Sequence, residues 1–367
     1  VVVRKFMFAN KRKVIGILLS LSIGGCIFLC PTYMVENLKV HAELSLISDD
    51  GLGSEYRISL KSDSLKDTIP EAVADKIKNM PETENVYATK YTMGELQISK
   101  NEFLSEEEWS DYFKYQNQEP YYIQRYDGIC KQQEDGNYRI KYNVYGYDEA
   151  MIEQLRDFIL EGEIQPETIK NNNQVIVTAN MDGQGNYFFY GKKPGDTITL
   201  RVPKTENYTD ELLKFQSGEE NYIEKEFEIA AIVNRPLAQE KDFLNTEVWK
   251  NAQSVIMTGE QMEENFGITD YSFINASPAD SADAKIVSNQ LLQVIRDVPK
   301  AVLQDYTTAI ATQKGYLGQQ QIFFSSIAVI LLIISLFHIV NSMSHTILTR
   351  RREYGIIRAI GITDGGF

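Results

Sequence analysis

Histidine, cysteine and tryptophan are scarce: three, three and two among 367 residues. His41 precedes the polar bulk of the chain, and His338 and His345 sit in or beside a late apolar run. No Cys or His cluster has metal-ligand spacing, so no metal centre is expected. Three cysteines make no disulfide framework. Cys26 and Cys30, one helical turn apart in an apolar run, read as small apolar packing residues, and Cys130 stands alone. A phosphate-binding loop is also missing. "GQGNYFFYGKK" has the wrong spacing before Gly191 and carries Lys193 where Ser or Thr is required, so it reads as a β-turn. Carboxylates are abundant, but an acidic surface brings many together by accident, and none stands out as an acid–base pair. No catalytic residues, no cofactor and no enzymatic activity are expected of this chain. The sequons at Asn207 and Asn275 are too short a pattern to mean much alone.

Charge itself is absent from two stretches, Val14 to Met34 and Ile322 to Thr349. Each exceeds the roughly 18–20 apolar residues that cross a bilayer core. Basic residues flank both: Arg4, Lys5, Lys11, Arg12 and Lys13 before the first, and Arg350, Arg351, Arg352 and Arg358 after the second. The positive-inside rule puts both flanks in the cytoplasm and the part between them outside. With nine of the 37 basic residues but only two of the 51 acidic ones in the flanks, the part between is more acidic than the chain's net −14. Such a domain is not expected to bind nucleic acid. A lipoprotein signal ending at Cys26 is the rival reading of the first run. The apolar stretch continues past Cys26 as "IFLCPTYM", which argues for a span.

Five regions follow: an interfacial elbow over 1–13, a first span over 14–34, an extracytoplasmic domain over 35–320, a second span over 321–348 and a cytoplasmic segment over 349–367. The outer domain opens and closes with similar patterns. "YRISL" alternates as a strand, "DTIPEAVADKIKNM" reads as a helix with a capping box of Thr68 and Glu71, and "NVYATKYTMGELQI" returns as a strand. Later, "YSFINA" and "AVLQDY" bracket a helix with Ile286, Gln290, Leu291 and Val294 along one face. Two β-α-β units at opposite ends suit a ferredoxin-like split sheet. Between them, 128–236 reads as a mostly β insertion carrying the strands "RIKYNVYGY", "QVIVTA", "DTITLRV" and "KEFEIAAIV". The tyrosine-rich stretch from Asn101 to Asp127 reads as a surface loop and short helix, with a partner-contact patch as the alternative. The fold class expected is a membrane protein, two transmembrane helices flanking a large α+β extracytoplasmic domain.

The second span carries Ser335, His338, Asn341, Ser342 and His345 at helical spacing. Polar groups at that depth are costly in lipid, so His338, Asn341 and His345 are candidates for helix–helix packing. The stretch that follows, "RRREYGIIRAIGIT", is basic, partly apolar and glycine-broken. A stop signal accounts for its arginines but not for its isoleucines and glycines.

With Asn341 before it, this stretch resembles the segment after the second span of FtsX-like, MacB-like ABC transporter permeases. The matching positions are Asn341, Arg351 or Arg352, Glu353-Tyr354-Gly355 and Arg358-Ala359-Ile360-Gly361. More loosely, "VYGYDEAMIEQLRDFILEGEI", "KPGDTITL" and "FEIAAIV" follow the order of the family's MacB-type core domain. The resemblance implies that Arg351, Arg352, Glu353, Tyr354, Gly355, Ile357, Arg358 and Gly361 couple the chain to a separate ABC ATPase subunit, which binds the ATP. It also implies a second permease unit, the same or different, and contact with membrane lipid. The family has four spans per unit, so a chain with two reads as truncated. Cargo of peptide, lipid, lipoprotein or antibiotic type is implied. The alternative is a regulatory module whose outer domain engages an extracytoplasmic protein and activates a cell-wall hydrolase or sensor kinase.

Overall fold

The computed structural model describes residues 52–359, apart from 63, 101, 103–119, 182–184, 207, 216–219, 240–252 and 350, together with scattered helical positions between 15 and 33. The elbow over 1–13 and most of the first span lie outside the described residues, as does most of the tyrosine-rich stretch. Contacts divide the chain into Glu43–Thr308 and a second unit that joins Val1–Ala42 to Ala309–Phe367.

In chain order the first unit runs β1 (Tyr56–Leu60), α1 (Glu71–Lys78), β2 (Thr83–Ile98), α2 (Pro120–Tyr126), β3 (Cys130–Gln132), β4 (Tyr138–Tyr147) and α3 (Glu149–Gln154). It continues with β5 (Ile159–Gly162), α4 (Pro166–Asn171), β6 (Gln174–Thr178), β7 (Asn180–Met181), β8 (Tyr187–Phe188), β9 (Thr197–Pro203) and β10 (Tyr222–Val233). Then come β11 (Ser254–Thr258), α5 (Gly259–Phe266), β12 (Phe273–Pro278), α6 (Ala284–Val294) and β13 (Ala301–Asp305). Helices α7 (Thr307–Thr349) and α8 (Arg351–Ala359) complete the described chain. The protein is a mixed α/β structure.

The two terminal β-α-β units interleave as the order β13-β1-β12-β2, antiparallel throughout. This is the arrangement of a split β-α-β sheet. Tyr56 and Ile58 of β1, Val73 and Ile77 of α1, and Val287 and Leu291 of α6 form one buried cluster. Two local expectations need correcting. Helix α1 begins at Glu71, with Pro70 before it and no side-chain cap. Thr68 is drawn away instead, its hydroxyl donating to Asp270 at 2.8 Å. On α6 the inward stripe runs through Val287 and Leu291, while Ile286 is 55% exposed. Asp283 caps that helix and starts it one position before Lys285, and the resulting 3.6-residue phase turns Ile286 outward. A capping box does occur, at Thr258 and Gln261 of α5.

The β-rich region closes on itself. β2 is 16 residues long, enough to serve two structures. Its first half pairs with β12, and Lys90 to Ile98 pair with β4 while Glu95 to Gln97 pair with β9. From β9 the ladder continues through β10, β6 and β11 and returns to β4. Six strands therefore form a ring without a free edge. The ring draws in the end of β2 and β11, so it exceeds the expected 128–236 boundaries at both sides. Its core comes from alternate positions: Leu96, Ile140, Val144, Ile198 and Leu200 are all buried. At Gly162, φ is +90° and an added Cβ would stand 2.3 Å from the Ala230 carbonyl oxygen. Only glycine fits there, where β5 meets the irregular end of β10.

Candidate functional site

The residues expected to couple the chain to a partner lie at the end of a long helix whose start is firmly fixed. Tyr306 N–H donates to the Glu55 carbonyl at 2.8 Å. The Asp305 carboxylate accepts from the Thr307 N–H at 3.0 Å and from its hydroxyl at 2.6 Å, satisfying donors that the first helical turn leaves open. From there α7 runs 43 residues without a break. At 1.5 Å per residue that is about 65 Å, roughly twice the hydrocarbon thickness of a bilayer. Among the described residues α7 is the one helix long and apolar enough to cross a membrane. Ile322, Phe337, Val340 and Leu348 along it are 60–70% exposed, an apolar surface that water does not favour. The expected second span, 321–348, falls within α7.

Asn341 and His345 are exposed on α7, and Thr349 donates its hydroxyl to the His345 carbonyl at 2.8 Å. His338 shares their face by spacing, and its side chain is outside the described residues. Their packing role stays an expectation.

Helix α8 brings Arg351, Arg352, Glu353, Tyr354, Gly355, Ile357 and Arg358 onto one short element, while Gly361 lies outside the described residues. Arg351, Arg352, Gly355 and Ile356 are exposed. Arg351 and Gly355, four residues apart, share one face. Gly355 does not break the chain here: it is helical and has open space around it. A glycine inside a helix costs about 1 kcal/mol against alanine. Its presence leaves a bare patch of backbone on the basic face.

A scan against protein-family models finds no match, and no curated protein matches. Several solved structures are similar to this chain, two of them as follows. One is the periplasmic region of MacB from Actinobacillus actinomycetemcomitans, 9% identical, with a TM-score of 0.39 and 72% of this chain aligned to 94% of that one. The other is the extracellular domain of the noncanonic ABC-type transporter YknZ from Gram-positive bacteria, 9% identical, with a TM-score of 0.36 and coverages of 69% and 100%. Likenesses this distant assign no residue a role.

Sequence reasoning missed the buried charges of the first unit. Glu95 is held by Lys141 at 2.6 Å and Arg201 at 2.9 Å, with all three side chains at most 3% exposed. Arg139 stands 3.9 Å away. Lys141 lies over Phe215 and Arg201 over Tyr222, at 4.2 and 3.6 Å from the ring centroids. Burial pushes the Lys141 ammonium below its ordinary range, and Glu95 opposes that shift. The registers Glu95↔Lys141 and Glu95↔Arg201 put the three charges side by side on β2, β4 and β9. A matched set of charges on the polar positions of three strands was the available signal.

Other motifs resolve simply. Asn275 is fully buried in β12 and closed to glycosylation in the folded chain, while Asn207 lies outside the described residues. Tyr190 and Gly191 take positive φ, and Lys192 N–H donates to the Phe189 carbonyl at 2.9 Å, a turn. Cys130 is half-buried and its thiol is pushed up by burial. Among the described residues no group of three or more potential metal ligands comes together.

Proposed function

We propose that this chain is a permease subunit of an ABC transporter, multi-pass in the cell membrane with both flanks cytoplasmic, that couples a separate ATPase to motion of its extracytoplasmic α/β unit. The observation that carries the reading is α7, an unbroken helix from the capped end of β13 to Thr349, with the basic helix α8 beginning at Arg351. A continuous helix transmits displacement along its axis, whereas a loop would absorb it. Closure of two such units over ATP-bound partners would move α8, and α7 would carry the displacement to β13 and its neighbour β1. Arg351, Arg352 and Arg358 suit acidic residues of the ATPase or anionic lipid, and Tyr354, Ile356 and Ile357 supply apolar contact. The motif spanning Asn341 to Gly361 supports the same assignment. ATP stays with the partner, and the work is mechanical: cargo of peptide, lipid, lipoprotein or antibiotic type need not pass between the spans.

The test is co-purification of the full-length protein with candidate ATPase subunits, beside a Glu353→Ala/Tyr354→Ala variant. An ATPase retained by the native chain and lost from the variant is the expected result. If the native chain retains none, the permease reading falls.

A further inference from the structure

Arg57 is 1% exposed, has no acidic partner among the described residues, and leaves two of its guanidinium nitrogens, Nε and Nη1, without an acceptor. Its Nη2 donates to the Gln239 carbonyl at 2.5 Å, and the guanidinium lies over the Phe273 ring at 4.1 Å. Gln239 lies in a segment whose described part, 235–239, has no regular secondary structure. Pro236, Leu237 and Ala238 are nevertheless buried. The Tyr147 hydroxyl donates to the neighbouring Ala238 carbonyl at 2.6 Å. Side chains from two substructures thus hold this strap: Arg57 from the four-stranded sheet and Tyr147 from the six-stranded ring.

Its connections give the strap a use. At one end it continues β10 of the ring, where Asn234 N–H donates to the Phe158 carbonyl at 3.0 Å. At the other it is held by β1, whose Arg57 is the register partner of Gln304 in β13, the strand before α7. A buried arginine serving only structure would have its donors filled. Arg57's own hold is one charge-assisted hydrogen bond, and release would return an uncompensated cation to water, which offsets part of the cost of exposing Leu237 and Ala238. A segment held by such opposing contributions can act as a moving joint.

We propose that segment 235–239 is a releasable strap coupling the ring to the sheet that leads into α7, and that Arg57 is its latch. The use of this motion rests on the permease reading; the latch itself does not.

The test places a cysteine at Ala238, fully buried in the closed strap, in the full-length protein. Modification by N-ethylmaleimide is followed at that peptide by mass spectrometry. Arg57→Met should raise the labelling rate on the order of ten- to a hundred-fold, the equivalent of one hydrogen bond to a charged group. Arg57→Lys keeps the cation but loses the fork geometry, so it should also raise the rate, and it serves if the methionine variant fails to fold. Leu291→Cys, buried in α6, is the control and should stay within about two-fold in both backgrounds. An unchanged rate at position 238 overturns the proposal, and so does an equal rise at 238 and 291, which means general loosening. No ATPase or nucleotide is involved, so this outcome and the co-purification result can fail independently.

Discussion

At the scale of single residues, the first unit depends on a few that have no substitute. Among the described residues Glu95 is the carboxylate paired with both Lys141 and Arg201, all buried. Glu95→Gln keeps the shape and removes the charge that both cations face. Loss of one partner of a buried pair costs about 3–5 kcal/mol, so the unfolding midpoint in urea should drop markedly. Replacing all three residues by apolar ones of similar volume should recover much of that loss, which separates charge from packing. Gly162→Ala is the backbone counterpart. Its φ of +90° and the carbonyl 2.3 Å from an added Cβ leave alanine no relaxed conformation. A loss of about 1–3 kcal/mol in the same titration is expected, and an unchanged midpoint would mean that β5 moves aside at little cost. The charged site was missed because Glu95, Lys141 and Arg201 occupy the polar positions of alternating strands, which look like a solvent face; their matched charges become a signal only once the strand registers are known.

The elements themselves were easier to read. Alternation found β1, β4, β6, β9 and β10, and the pairing of α1 and α6 with their strands followed from periodicity. Closure of the ring did not, because it depends on β2 continuing past the first sheet and on β11, a five-residue strand more than 100 residues from its partner β4. Long-range pairing leaves no local trace. The apolar run and the basic stretch after it were legible because hydropathy and charge mark them directly, whereas the extension of α7 back to Thr307 and the helical state of α8 were not. Helix α7 offers a direct test of transmission at Gly315, exposed and with nothing near an added Cβ. Gly315→Ala should stiffen α7 by up to about 1 kcal/mol and preserve coupling. Gly315→Pro removes a hydrogen bond and kinks the helix at a cost of about 3 kcal/mol. The proline variant should still co-purify with the ATPase but lose any nucleotide-dependent change in labelling at Ala238→Cys. Retention of that change in a kinked helix would count against a rigid lever.

For the molecule as a whole, alkaline pH is the condition its buried hydroxyls resist worst. Tyr56 and Tyr222 are pushed up to about 12, chiefly by burial, with nearby carboxylates adding to the shift. Tyr147 is raised well above its ordinary value, again chiefly by burial. Each donates to a backbone carbonyl, of Ala284, Leu212 and Ala238 respectively, and would lose that bond on ionising. Between about pH 10 and 12 the unfolded chain releases these protons while the folded chain keeps them. The folded state then binds more protons, so stability falls as pH rises, by about 1.4 kcal/mol per pH unit for each tyrosine fully in this regime. Lys141 has the opposite sign: its folded value is depressed, so raising pH up to its unfolded value near 10.4 relieves the cost of a buried ammonium. That gain ends where the tyrosine loss begins. A net charge of −14 at neutrality grows more negative over the same range and adds repulsion. Denaturation followed from pH 8 to 12 should therefore show a shallow dependence up to about pH 10 and a steep decline beyond it. Tyr147→Phe should reduce the slope of the decline while releasing Ala238, the one carbonyl of the strap that Tyr147 holds, so the alkaline limb and the latch can be compared in a single variant.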